Sequence, residues 1–174
     1  MKHFLVVVDI QKDFVDGALG TNEAVSIIDK CVDKIENFNG EIIVTYDTHT
    51  DDYLSSAEGK KLPVVHCIKG TDGWQLNDKI AKALQDKNYE VVEKPTFGSV
   101  QLPEIIAEKA DGEDFDITLI GLCTDICVVS NALLLKANFY EKEIYVDSSC
   151  CAGVTVDTHN ASLDTMRCCQ INVL

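Results

Sequence analysis

Short apolar runs alternate along the chain with longer segments whose apolar residues recur at helical spacing. The runs are brief, mostly β-branched and nearly continuous, which is typical of strands that are covered on both faces. Six segments are predicted to be strands: Phe4–Val8, Glu41–Tyr46, Tyr89–Val92, Ile117–Gly121, Glu143–Val146 and Gln170–Leu174. Five are predicted to be helices: Glu23–Phe38, Trp74–Asp86, Pro103–Ala110, Asp125–Ala137 and Val156–Cys168.

This alternation indicates βαβ units and therefore the α/β fold class. We expect a three-layer α/β/α sandwich with a mainly parallel sheet of about six strands. The length of 174 residues fits a single domain over residues 1–174. Because ligands bind beyond the C-terminal ends of parallel strands, the polar residues that directly follow the predicted strands are the candidates for function.

The charge balance limits the classes of partner. With 15 Lys and Arg against 29 Asp and Glu, the net charge is −14, which argues against a nucleic-acid partner and against docking to an anionic membrane. No segment approaches the ~20 apolar residues of a membrane span, and the first apolar run reaches Asp9 too early for a signal peptide. We expect a cytoplasmic protein whose eight cysteines are thiols.

The segment Gly121–Cys127 predicts a candidate nucleophile. A buried strand ends there and a helix follows, so that Cys127 lies in the first helical turn, where free N–H groups and the helix dipole favour a thiolate. Asp9 and Lys94 follow two other strands, and three strands would then deliver an acid, an amine and a thiol to one edge. The alternatives are a buried structural thiol and an ordinary ion pair at the strand ends.

A second group of residues has the composition of a metal site. Asp47 and His49 directly follow the second strand and project to the same side of an extended segment. Glu58 and His66 lie in the long loop that comes next. Two imidazoles with one or two carboxylates suit Zn²⁺, Fe²⁺ or Mn²⁺. The alternative is that these are solvated loop residues.

Four motifs along the chain combine these candidate residues, and they are Asp9–Phe14 (DIQKDF), Asp47–His49 (DTH), Glu93–Ser99 (EKPTFGS) and Gly121–Val128 (GLCTDICV). Taken together, they resemble the motifs of the nicotinamidase/pyrazinamidase family of the isochorismatase-like cysteine hydrolase superfamily. The resemblance covers nearly the whole chain, and the fourth motif is the most specific of the four.

This resemblance implies an activity and a catalytic unit. The implied reaction is hydrolysis of nicotinamide to nicotinate and ammonia through a cysteine thioester, as a step of NAD salvage. The implied triad is Asp9, Lys94 and Cys127, with an oxyanion hole from the backbone N–H groups of Cys123 and Cys127. A cis peptide bond between Leu122 and Cys123 is also implied, as is a homo-oligomer.

The resemblance further implies one divalent metal ion, with zinc preferred over iron or manganese. Family members use either a histidine or a carboxylate as the third ligand, and no histidine lies between His49 and His66. Glu58 is therefore expected to take that place, with Asp51 and Asp52 as alternatives. The implied ligands are Asp47, His49, Glu58 and His66.

The implied substrate-binding residues are Phe14, Leu62 and Phe97. Family members often carry an aromatic residue shortly before the last histidine ligand, whereas Leu62 takes that place in this chain. An alternative is therefore a related cysteine amidohydrolase that acts on another small amide or carbamoyl compound and holds no tight metal. A further alternative is a binding or redox-sensing domain without catalytic activity.

Overall fold

All six predicted strands are found in one parallel sheet. The structure is a computed structural model that describes residues 1–174, and the strand order in its sheet is β3-β2-β1-β4-β5-β6. The predicted α/β class with about six mainly parallel strands is confirmed. The strands are β1 (Lys2–Val8), β2 (Glu41–Asp47), β3 (Tyr89–Lys94), β4 (Phe115–Leu122), β5 (Glu143–Ala152) and β6 (Asn172–Val173).

Helices cover both faces of the sheet, as the three-layer prediction requires. Alternate residues of β1 face opposite sides, so that Leu5 and Val7 pack in one core and Phe4 and Val6 pack in the other. The first core is covered by α1–α4 and the second by α5–α7. The helices are α1 (Lys12–Val15), α2 (Asn22–Ser26), α3 (Ile28–Asn37), α4 (Asp78–Leu84), α5 (Leu102–Ala110), α6 (Val129–Asn138) and α7 (Val156–Cys168).

Two of the predicted helices have different boundaries. The single helix predicted over Glu23–Phe38 is wrong, because the chain turns at Ile27 between α2 and α3. Ala24 and Ile28, on either side of this turn, pack into the same core. The helix predicted from Trp74 begins only at Asp78, where the Asn77 side chain caps α4 by accepting the N–H of Lys79.

The start of the helix that carries the candidate nucleophile also differs. A π-helical turn over Thr124–Val128 precedes α6, so that the helix predicted from Asp125 becomes α-helical only at Val129, and Cys123 occupies the N-cap position of the turn. The Thr124 hydroxyl hydrogen-bonds Nδ1 of His159 on α7 at 2.8 Å. The peptide bond between Leu122 and Cys123 is cis.

The strand order brings the candidate residues to one edge. Lys94 ends β3, Asp47 ends β2, Asp9 follows β1, and Cys127 follows β4, and these four strands are neighbours in the sheet. The chain reverses its direction of winding between β1 and β4, which is where α/β sheets bind ligands. None of the helices has the length and apolar character needed to span a bilayer.

Candidate active site

A buried ion pair and a thiol form the centre of the site. The Nζ atom of Lys94 lies 2.5 Å from Oδ2 of Asp9 and 3.4 Å from Sγ of Cys127. The Asp9 and Lys94 side chains are fully buried, and Cys127 is also buried. Oδ2 of Asp9 has no hydrogen-bond partner apart from its pairing with Lys94. One ammonium therefore contacts both the carboxylate and the sulfur.

Burial and charge together set the ionisation of this group. Burial raises the pKa of Cys127 well above its ordinary value, and the charge of Asp9 raises it further. Burial also raises the pKa of Asp9, although the charge of Lys94 opposes that rise. Burial lowers the pKa of Lys94, but the negative charges of Asp9, Cys127 and Asp47 together outweigh it and the net pKa is raised. Lys94 is thus a fixed cation, and Cys127 rests as a thiol that needs a base.

Four side chains form the candidate metal centre. Nε2 of His49 and Nε2 of His66 lie 2.9 Å and 3.5 Å from Oδ2 of Asp47, and they lie 3.8 Å and 3.7 Å from Oε1 of Glu58. All four ligand atoms lie within 4.8 Å of one another. The cluster therefore has the two imidazoles and two carboxylates that a divalent transition metal prefers.

The chemistry of His66 supports a metal at this cluster. Its Nδ1 atom lies 2.8 Å from the carbonyl oxygen of Val64, so that Nδ1 carries the proton and Nε2 presents a lone pair to the cluster. Glu58 is the carboxylate that reaches this position, whereas Asp51 and Asp52 are exposed on the same loop. The donor set fits a divalent ion.

Asp47 joins the candidate metal centre to the ion pair. One of its carboxylate oxygens faces the two histidines, and the other lies 3.5 Å from Nζ of Lys94.

Gln11, which has no predicted role, hydrogen-bonds both the N–H and the carbonyl group of Asp47. Its Nε2 donates to the Asp47 carbonyl at 2.9 Å, and its Oε1 accepts the Asp47 N–H at 2.8 Å. The only signal for Gln11 was its place in the Asp9–Phe14 motif.

A cavity of about 220 Å³ lies between the cluster and the thiol. Asp47, Glu58 and His66 line one part of it, and Cys123 and Cys127 line another. The remaining wall is mostly apolar. The three residues predicted to bind substrate, which are Phe14, Leu62 and Phe97, all line this cavity. Such a space suits a small, largely apolar molecule that carries a few polar groups.

Comparison with known proteins gives the family of this fold and site. The model of the isochorismatase domain matches residues 3–174, and the chain therefore belongs to the isochorismatase family. A nicotinamidase/pyrazinamidase from Mycobacterium tuberculosis is 25% identical over 186 residues, which cover 98% of this chain and 97% of that protein.

Two solved structures share the whole fold. The crystal structure of the nicotinamidase PncA from Bacillus subtilis has a TM-score of 0.83 and 25% identity, with 99% of each chain covered. The pyrazinamidase of Pyrococcus horikoshii, solved in complex with zinc, has a TM-score of 0.83 and 23% identity, covering 100% of this chain and 99% of that one. At 23% identity, the second likeness supports the fold alone.

Proposed function

We propose that this protein is a metal-dependent nicotinamidase, which hydrolyses nicotinamide to nicotinate and ammonia. The observation that carries the proposal is the position of Cys127 Sγ, 3.4 Å from the buried Lys94 ammonium and in the same cavity as the Asp47, Glu58 and His66 side chains. The names of the relatives from M. tuberculosis and B. subtilis support the same substrate class.

In the proposed first half of the reaction, Asp9 takes the proton of the Cys127 thiol and the sulfur attacks the amide carbonyl carbon. A C–S bond forms, and the electron pair of the carbonyl moves to its oxygen. The backbone N–H groups of Cys123 and Cys127 are proposed to hold this oxyanion, and each well-placed donor contributes about 3 kcal/mol. Lys94 keeps Asp9 ionised before the proton transfer and is paired with it throughout.

In the proposed second half, the C–N bond breaks as Asp9 returns the proton to the departing ammonia. The product is a thioester on Cys127. Asp9, again a carboxylate, then takes a proton from water, whose oxygen attacks the thioester carbonyl. The C–S bond breaks, the sulfur recovers its proton from Asp9, and the acid leaves as nicotinate after losing its carboxyl proton to solvent.

The proposed metal ligands are Asp47, His49, Glu58 and His66. A divalent ion at this position supplies a Lewis-acidic site for the ring nitrogen of the substrate and so orients the ring. We propose zinc, because two imidazole and two carboxylate ligands suit it.

The direct test is ammonia release by the purified protein from nicotinamide, with benzamide as the matched substrate that lacks the ring nitrogen. We expect the value of kcat/KM for nicotinamide to exceed that for benzamide by at least about tenfold, since one well-made polar contact has about that effect. Chelation is expected to remove the activity, and Zn²⁺, Fe²⁺ or Mn²⁺ to restore it. Absence of ammonia with all three metals, or full activity without metal, would contradict the proposal.

Replacement of His49 by alanine is expected to lower metal affinity while the protein remains folded. Loss of an outer partner of a metal ligand already costs about 10–100-fold in affinity, and loss of the ligand itself should cost at least as much. Metal content after dialysis is the measurement. His3→Ala is the control, because the His3 side chain is exposed and contacts Asp116. Equal metal content in both variants would contradict the assignment of His49 as a metal ligand.

A further inference from the structure

Thr45 contacts the carboxylate that the proposed mechanism uses as a base. It lies on β2, opposite Val8 in the register of the β1–β2 pair, and it is fully buried. Its hydroxyl donates to Oδ1 of Asp9 at 2.6 Å, and its carbonyl oxygen accepts the N–H of Asp9 at 3.2 Å. The side chain and the backbone of Asp9 are thus both held by one residue.

The two carboxylate oxygens of Asp9 therefore have different surroundings. Oδ1 accepts the Thr45 hydroxyl, whereas Oδ2 faces the Lys94 ammonium, which also contacts the Cys127 sulfur. The Thr45 hydroxyl has Asp9 as its only hydrogen-bond partner. A proton on Oδ1 would make that oxygen a weaker acceptor for the buried Thr45 hydroxyl, which is unfavourable.

We propose that Thr45 is a positioning residue, which directs the proton taken from Cys127 to Oδ2 of Asp9. The inference rests on the proposed function, because the proton in question is the one that Cys127 loses and the departing ammonia gains. With Oδ1 accepting the Thr45 hydroxyl, the proton stays on Oδ2, whose neighbour Lys94 also contacts the Cys127 sulfur. It is then available where the C–N bond breaks.

A purely structural role for Thr45 makes a different prediction. Valine has nearly the same shape and a strong preference for strands, so that Thr45→Val keeps the packing of β2 and removes only the hydroxyl. A structural role would affect the unfolding temperature and leave the turnover of the folded enzyme unchanged. The positioning role lowers kcat and leaves substrate binding and metal content unchanged.

The experiment compares kcat and KM for nicotinamide, metal content and thermal unfolding in the wild type and in Thr45→Val. We expect kcat to fall about 10–100-fold, which is part of the ~10²–10⁴-fold that general acid–base catalysis supplies. KM and metal content should stay within about twofold, well below the tenfold that one lost polar contact causes. Thr118→Val on β4 is the matched control, since Thr118 is also a strand threonine and pairs with Leu5, three residues before Val8.

A second pair of variants covers the case in which Thr45→Val does not fold. Thr45→Ser keeps the hydroxyl and Thr45→Ala removes it, while both lack the methyl group. We expect the serine variant to turn over at least about tenfold faster than the alanine variant. Equal kcat in these two, or a folded Thr45→Val with the wild-type kcat, would overturn the role of Thr45. A wild-type protein that releases no ammonia would overturn the proposed function, and this inference with it.

Discussion

Replacement of Cys127 by alanine is expected to abolish ammonia release from nicotinamide. The substitution removes the sulfur that forms the proposed thioester, and loss of a nucleophile from a catalytic unit costs roughly 10⁴-fold or more in kcat. Metal content should not change, because Cys127 is not among the four clustered ligands. Initial rates of ammonia release, together with metal analysis of the same sample, are the measurements.

The control for this variant is Cys151→Ala. Cys127 and Cys151 are both 4% exposed and both pack in the core beneath α5–α7, so the two substitutions leave cavities of similar kind. Cys151 does not line the cavity that holds the candidate site. We expect Cys151→Ala to lose some stability and keep its rate. Near-full activity in Cys127→Ala would contradict the proposed chemistry.

Replacement of Lys94 by methionine is expected to remove both activity and stability. Methionine fills most of the same space, but it leaves the carboxylate of Asp9 fully buried without a cation. Removal of one partner of a buried pair costs about 3–5 kcal/mol. The pKa of Asp9, already raised by burial, then rises further because the opposing charge of Lys94 is lost. Protonated Asp9 cannot accept the proton of Cys127.

Chemical denaturation of Lys94→Met measures the lost stability, and its pH dependence gives a second check. A carboxyl whose folded pKa is raised stabilises the fold at low pH and loses that contribution as the pH increases. The deficit of the variant should therefore grow from acid to neutral pH. The control is Lys79→Met, because Lys79 pairs with Asp29 on the surface and such pairs contribute about 0–1 kcal/mol. Equal stability of the two variants would contradict the buried pairing.

The strands of the sheet could be predicted from the sequence because they are buried on both faces. Continuous apolar runs then mark each strand, although the predicted ends differ from the observed ones, most of all in β5, which continues past Val146 to Ala152. The prediction stopped at Val92 and at Tyr46, whereas β3 continues to Lys94 and β2 to Asp47. These residues break the apolar pattern because their side chains belong to the candidate site. The local pattern therefore fails where the site begins.

The site itself was only partly accessible from the sequence. Asp9, Lys94 and Cys127 could be grouped because parallel strands end at one edge of the sheet. The role of Thr45 has no local signal, since a threonine within a β-branched run is an ordinary strand residue. Its contact with Asp9 depends on the pairing of two strands whose contacting residues lie 36 positions apart.

The conformation of the loop that follows β2 could not be predicted from its residue pattern either. On sequence grounds Glu58 is the expected third ligand, but Asp51 and Asp52 remain alternatives. In the structure, a 3₁₀ helix over Tyr53–Ser55 and a hydrogen bond from the Tyr53 hydroxyl to the Leu62 carbonyl fold this loop. That fold brings Glu58 to the histidines and leaves the two aspartates exposed.

The central step of the proposed mechanism is the transfer of the substrate's acyl group to the sulfur of Cys127. Product analysis in the presence of hydroxylamine tests this step, because a thioester can be attacked by hydroxylamine as well as by water. We expect the hydroxamate of nicotinic acid to form in a proportion that rises with hydroxylamine, while ammonia release is not slowed. Ammonia release accompanied by nicotinate alone, at every hydroxylamine concentration, would mean that water attacks the amide directly and would contradict the account.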